Sequence, residues 1–141
     1  LTEIYNKNCL NKTKPYEGIV DLLNELKQRN LKLSVFSNKA DEFVKTIIQT
    51  LLPDYFDEVA GLTTEAHRKP NPFGALQISK KFDIRPENML YLGDTSTDMQ
   101  TANNAGMYAV GVTWGFRDRQ ELLDNGAKFI LDKPMDLMKV L

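Results

Sequence analysis

The sequence predicts an α/β domain with a mostly parallel sheet. Helical and strand signals alternate along the chain, the pattern of strand–helix–strand units. The strand signals are short apolar runs, as expected of buried strands. Two of these runs stop abruptly at small polar or acidic residues, in "LKLSVFSN" and "MLYLGD". In open α/β sheets such strand ends are where ligands bind.

Each element follows from local chemistry. Ile19, Leu22, Leu23 and Leu26 fall at i, i+3, i+4 and i+7 and predict a helix with one apolar face. "LKLSVFSN" predicts a buried strand ending at Phe36. Val44, Ile47, Ile48, Leu51 and Leu52 repeat the helical spacing until Pro53 stops it. "FDEVAGL" predicts a short strand. In "KPNPFGALQISKKF", Asn71 is the expected N-cap and Pro72 the first-turn residue, with Phe73, Leu76 and Phe82 toward the sheet. "MLYLGD" is the clearest strand signal, and a short helix after Asp98 closes at Gly106. "YAVGVTW" is a strand, "RQELLDNGA" a helix ending at Gly126, "KFIL" a strand and "PMDLMKVL" a terminal helix. No repeat, low-complexity tract or linker interrupts this order, so a single domain is expected.

Composition bounds the function. The 141 residues suffice for a sizeable core, with 42% hydrophobic and 26% charged residues and a net charge of −1. So even a balance offers no broad basic field for nucleic acid or an anionic membrane. No apolar run reaches the roughly 18 residues of a membrane span. Cys9 is the single cysteine, which rules out an internal disulfide and fits a reducing cytoplasm. The chain opens on Leu1, and Ile4, Tyr5 and Leu10 suggest a helical stretch running into a turn at Pro15 and Gly18. A trimmed terminus and a missing N-terminal segment both account for that opening.

The candidate chemistry gathers at strand ends. Asp94 and Asp98 in "GDTSTDM" offer two carboxylates to a hard cation such as magnesium, which prefers oxygen ligands and retains water. The alternative is a solvated Asp94 and an Asp98 that caps the next helix. An EF-hand is excluded, because Met99 stands where that loop requires Gly. Ser37 and Asn38 offer a hydroxyl, an amide and backbone N–H groups suited to phosphate oxygens, or serve simply as turn residues. Lys69 is a point charge able to neutralise phosphate, or an ordinary solvent-facing lysine. His67, the single histidine, reads as an exposed residue or a substrate contact rather than a base. Trp114 and Phe116 read as packing at the sheet's edge, with a substrate entrance as the alternative.

In this order, "VFSNK", "RKPNP" and "YLGDTSTDM" resemble the second, third and fourth motifs of the haloacid dehalogenase-like hydrolase superfamily. "NAGMYAVGVTWGF" and "ELLDNGAKFIL" are similar to its phosphoglycolate phosphatase branch, and the resemblance runs from about Thr13 onward. It implies a Rossmann-like three-layer sandwich and magnesium-dependent phosphoryl transfer on a small phosphorylated metabolite. Ser37, with Asn38, would bind a phosphate oxygen. Lys69 would stabilise nucleophile and phosphoryl charge, Asp94 would ligate magnesium, and Asp98 would support the metal's water shell or the lysine. Such chemistry is mostly positioning and electrostatics, which these groups can supply.

One part of the pattern is missing. The family's first motif, an apolar strand ending in Asp-x-Asp, carries the nucleophile, and no Asp-x-Asp precedes Ser37. Residues 1–14 resemble the tail of a helical cap and 15–141 an incomplete core. On this reading the central strand is absent, the strands of Ser37 and Asp94 are left with unpaired edges unless another segment or chain fills the gap, and the chain by itself is inactive. A phosphorelay receiver domain is the wrong order, since there the acids precede the hydroxyl and the lysine. A non-catalytic relative, binding phosphate or metal only, is the alternative to an enzyme.

Overall fold

Period-two alternation along the strands decides the layers. The computed structural model describes residues 2–6, 16–114 and 118–141. Its strands are β1 (Thr2–Asn6), β2 (Lys32–Ala40), β3 (Glu58–Leu62), β4 (Met89–Gly93), β5 (Tyr108–Val112) and β6 (Phe129–Leu131). All pairings are parallel, in the order β3-β2-β1-β4-β5-β6. Leu33, Val35, Leu92, Val110 and Val112 point to one face, where α1 (Ile19–Gln28) and α2 (Asp41–Leu51) pack. Phe36, Met89, Tyr91 and Ala109 point to the other, under α3 (Phe73–Phe82), α4 (Ser96–Ala105) and α5 (Arg119–Asp124). The result is the expected three-layer α/β sandwich.

The helical face of α1 is as the spacing predicts, with Ile19, Leu22, Leu23 and Leu26 all buried. Each such side chain contributes roughly 1.5–3 kcal/mol by the apolar area it removes from water. Helix α2 buries Val44 and Ile48 and ends before Leu52, also buried. On the second face Gly111 lets α5 sit close: a Cβ there would lie 2.7 Å from Ile130 Cδ1 and 3.0 Å from Leu122 Cδ1.

Several expectations are corrected. Strand β2 does not stop at Phe36 but continues to Ala40, and its register with β3 shifts between Phe36 and Ala40. Gly61 of β3 explains the shift: it donates its N–H to Asp41 Oδ1 at 2.9 Å, an approach that any Cβ would block. On α3, Phe73 and Leu76 are substantially exposed, and Ala75, Ile78 and Ser79 face the sheet instead. The small Gly74 and Ala75 bring the helix too near Phe36 for large side chains, since a Cβ on Gly74 would fall 2.3 Å from that ring. Pro72 occupies the cap position of α3, while Asn71 Oδ1 accepts from Phe73 N–H one step away at 2.9 Å. The terminal "PMDLMK" is a 3₁₀ segment, started by Pro134, rather than an α-helix.

The opening residues differ most. The gap expected between the strands of Ser37 and Asp94 is closed by β1, which pairs with β2 from Thr2–Lys32 to Asn6–Phe36 and with β4 from Thr2–Met89 to Tyr5–Leu92. Two strands flanking one vacancy stand about 9.6 Å apart, room for one extended segment. Thr, Ile and Tyr in "TEIYN" favour extended backbone. The helical reading of the opening is thereby corrected over Thr2–Asn6. Residues 7–15, on which the cap assignment and its boundary otherwise rest, lie outside the described residues. No helix among the described residues is long and apolar enough to cross a membrane.

Candidate active site

The strand order reverses between β1 and β4, and an open parallel sheet forms a crevice beyond its carboxyl edge at such a point. Three segments meet there. The bulged end of β2 brings Ser37 and Asn38, the loop before α3 brings Lys69, and the turn from β4 into α4 brings Asp94 and Asp98. A cleft of about 870 Å³ is lined by Ser37, Asn38, Lys69 and Asp98, with Arg68 and Glu65 on its wall.

The centre is an ion pair. Lys69 Nζ donates to Asp98 Oδ1 at 2.9 Å, with side-chain exposures of 4% and 2%. The Lys69 ammonium also sits 5.3 Å from the centroid of the Phe36 ring, a distance at which the ring face attracts a cation. The other Asp98 oxygen accepts from the Asp94 N–H at 3.2 Å. Asp98 is therefore a buried hub between the lysine and the strand end. It is not the cap of α4: Thr95 takes that place, its Oγ1 accepting from Asp98 N–H at 3.1 Å. A hydroxyl three residues before the N–H it accepts from is the ordinary N-cap spacing. Gly93 makes Asp98's place at the strand end possible, because a Cβ there would lie 2.3 Å from Asp98 Cβ.

The lysine loop is tied down on both sides. Asn38 Oδ1 accepts from the Lys69 backbone N–H at 2.8 Å, and Asn104 Nδ2 of α4 donates to Pro70 O at 3.0 Å. Lys69 is thus held from β2 and α4, and its solvent-facing alternative does not apply. Ser37 is fully buried, its Oγ accepting from Lys39 N–H at 3.1 Å. Asp94 is 2% exposed at the end of β4. Beneath the hub, burial first and the Asp98 charge second push the Tyr91 hydroxyl well above its usual range, so it stays un-ionised.

The remaining sequence candidates divide. His67 is half-buried and stacks on Phe73 at 3.7 Å between centroids, lining a separate cavity of about 250 Å³ beside β3. Trp114 packs against the core beneath β5, and Phe116 lies outside the described residues. Sequence reasoning missed Phe36, Thr95 and Asn104 as site-builders. The Thr–x–x–Asp spacing was a usable signal for Thr95, whereas nothing local marks Asn104 or the ring face of Phe36.

As to a metal, Asp94 supplies the hard oxygen donor that magnesium prefers, and both oxygens of Asp98 already accept from protein donors. Among the described residues no group of three or more His, Cys, Asp or Glu converges. Asp94 is the carboxylate that would hold magnesium here, with the rest of the shell supplied by water.

A parallel sheet with a hydroxyl, an amide, a lysine and two carboxylates gathered at its switch point defines an α/β protein of the Rossmann-like kind. The profile of the haloacid dehalogenase-like hydrolase family matches residues 1–112, and the chain belongs to that family. It is similar to the phosphoglycolate phosphatase of Aquifex aeolicus, at 33% identity over 99% of this chain and 66% of that protein. With the phosphoglycolate phosphatase of Vibrio vulnificus it shares 31% identity over 89% of this chain and 55% of the other. A crystal structure of a candidate phosphoglycolate phosphatase from Lactobacillus delbrueckii subsp. bulgaricus matches with a TM-score of 0.86 at 36% identity, over 94% of this chain and 55% of that one. The chain spans about half to two thirds of the length of these relatives.

Proposed function

We propose that this chain carries the phosphate and metal site of a magnesium-dependent phosphomonoester hydrolase of the phosphoglycolate phosphatase type. The observation that carries the reading is the buried Lys69–Asp98 pair at 2.9 Å, which aims an ammonium beside Ser37 and Asn38. Ser37 donates its hydroxyl to a phosphate oxygen, and Asn38 assists while holding the lysine backbone. Lys69 supplies counter-charge to the phosphoryl group as it moves, and Asp98 positions Lys69. Asp94 would hold magnesium, which when bound would supply charge to polarise the phosphoryl oxygens. The substrate is a small phosphorylated metabolite, and the single cysteine fits a reducing cytoplasm.

Turnover in this reading runs through an aspartyl-phosphate on an Asp-x-Asp strand, a motif this sequence does not contain. A specific observation favours a second reading for the chain as it stands: β1, whose sequence "TEIYN" holds no Asp-x-Asp, fills the central slot between β2 and β4. The chain then binds phosphate and metal without turnover. The test is hydrolysis of phosphoglycolate and an aryl phosphate by a whole protein of the relatives' length, with magnesium. Asp94→Asn should remove activity, and full activity in that variant or in excess chelator contradicts the assignment.

A further inference from the structure

Lysine is a loose anchor for a charge: its ammonium sits on a flexible four-carbon stem, and three equivalent protons let it pivot about a single acceptor. Lys69 has a second fixed neighbour besides Asp98. Its Nζ donates to Asp98 Oδ1 at 2.9 Å and lies 5.3 Å from the centroid of the Phe36 ring. That ring cannot drift. Phe36 is 2% exposed and paired in the sheet to Asn6 of β1 and Ala60 of β3. Helix α3 approaches so closely that a Cβ on Gly74 would fall 2.3 Å from ring atoms Cε1 and Cζ. The two neighbours also differ in what they leave of the charge. A carboxylate offsets a unit of positive charge, and a second one beside Lys69 would fix the ammonium while repelling phosphate. An aromatic face attracts a cation through its quadrupole and brings no net charge.

We propose that Phe36 is a positioning residue for the phosphate site: its ring face fixes where the Lys69 ammonium sits in the cleft, leaving that charge available to an anion at Ser37 and Asn38. Asp98 tethers the ammonium, and the ring gives the tether a direction. Phe36 directly precedes Ser37 on β2, so one strand end places both the ring and the hydroxyl. An aliphatic side chain of similar bulk would fill the same space against Ala75 and Ile78 but would offer the ammonium no negative face. Filling the core and steering the lysine are thus separable, because only the second depends on a charge at residue 69.

The inference rests on the phosphate-site reading above, and one set of titrations separates the two. Inorganic phosphate is added, with magnesium present, to the wild-type chain, Phe36→Leu, Lys69→Met and the double variant, following backbone amide signals. Phe36→Leu should weaken phosphate binding about three- to tenfold in the wild-type background. In the Lys69→Met background the same change should alter affinity by less than about 1.5-fold, because no ammonium remains to be steered. A ring that served only to pack the end of β2 would disturb Ser37 and Asn38 equally in both backgrounds. Equal losses in the two backgrounds, or no loss in Phe36→Leu, therefore overturn the inference alone. Where a variant fails to fold or Lys69→Met binds no phosphate, the wild-type chain is compared with one carrying a difluorinated phenylalanine at position 36. Its ring keeps nearly the same shape with a weaker negative face, so affinity should fall about twofold, and an unchanged affinity overturns the inference. Failure of inorganic phosphate to bind the wild-type chain overturns the phosphate site, and the inference with it.

Discussion

Breaking the Lys69–Asp98 pair should cost far more stability than any surface ion pair in this chain. Both groups are nearly out of water, and at 2.9 Å their attraction in an effective dielectric of about 20 is about 6 kcal/mol. Desolvation offsets much of that, so the net worth of the pair is modest, but removing one partner strands the other. Lys69→Met or Asp98→Asn should each destabilise by about 3–5 kcal/mol. With a urea slope of about 2 kcal/mol per molar, the midpoint falls by about 2 M. The double variant should lose at least about 2 kcal/mol less than the sum of the singles. The assay is equilibrium urea unfolding followed by far-UV circular dichroism on all four proteins. If a single variant unfolds outright, a folded double variant reports the same coupling. Single losses under about 1 kcal/mol, or additivity within about 0.5 kcal/mol, would refute the buried-hub argument.

Other outcomes follow from neighbouring geometry. Gly93→Ala pushes a methyl group against Asp98 and should cost about 1–3 kcal/mol in the same unfolding experiment while weakening phosphate binding; an unchanged midpoint contradicts the close approach. Partial burial raises the Asp41 carboxyl, but the Gly61 N–H and Lys45 outweigh it and hold it below its ordinary value of 3.8. A group lowered by folding adds stability above its unfolded value and loses it as pH falls through the folded one. The stability difference between wild type and Asp41→Asn should therefore shrink from pH 6 toward about pH 3. A difference that grows on acidification contradicts the sign. In a whole protein of the relatives' length, Lys69→Ala should lower turnover strongly and His67→Ala only mildly, because His67 lies in the separate cavity beside Phe73; the reverse order in kcat would show that the loop has been misread.

The legible parts of the sequence were those where one periodicity had no competitor. Ile19, Leu22, Leu23 and Leu26 read directly as a buried helical face, and "MLYLGD" as a strand aimed at the site. The face of α3 was not legible, because the closeness permitted by Gly74 and Ala75 exists only once Phe36 stands opposite. Nor was β1, whose "TEIYN" suits strand or helix until a vacancy between two strands selects the extended form. At the site, Ser37, Asn38, Lys69, Asp94 and Asp98 could be picked out by residue type at strand ends. What could not be read was the commitment of each polar atom. Both oxygens of Asp98 and the amide oxygen of Asn38 are occupied by long-range or turn partners, and local pattern carries no trace of them.

In the function proposed above, Asp94 and Lys69 serve one phosphate and magnesium site. Calorimetric titration of the chain with inorganic phosphate, with and without magnesium, tests it most directly when repeated on Asp94→Asn. The account predicts that magnesium tightens phosphate binding in the wild-type chain and that this enhancement disappears in Asp94→Asn. Phosphate binding indifferent to magnesium in the wild type, or an enhancement that survives Asp94→Asn, would contradict it.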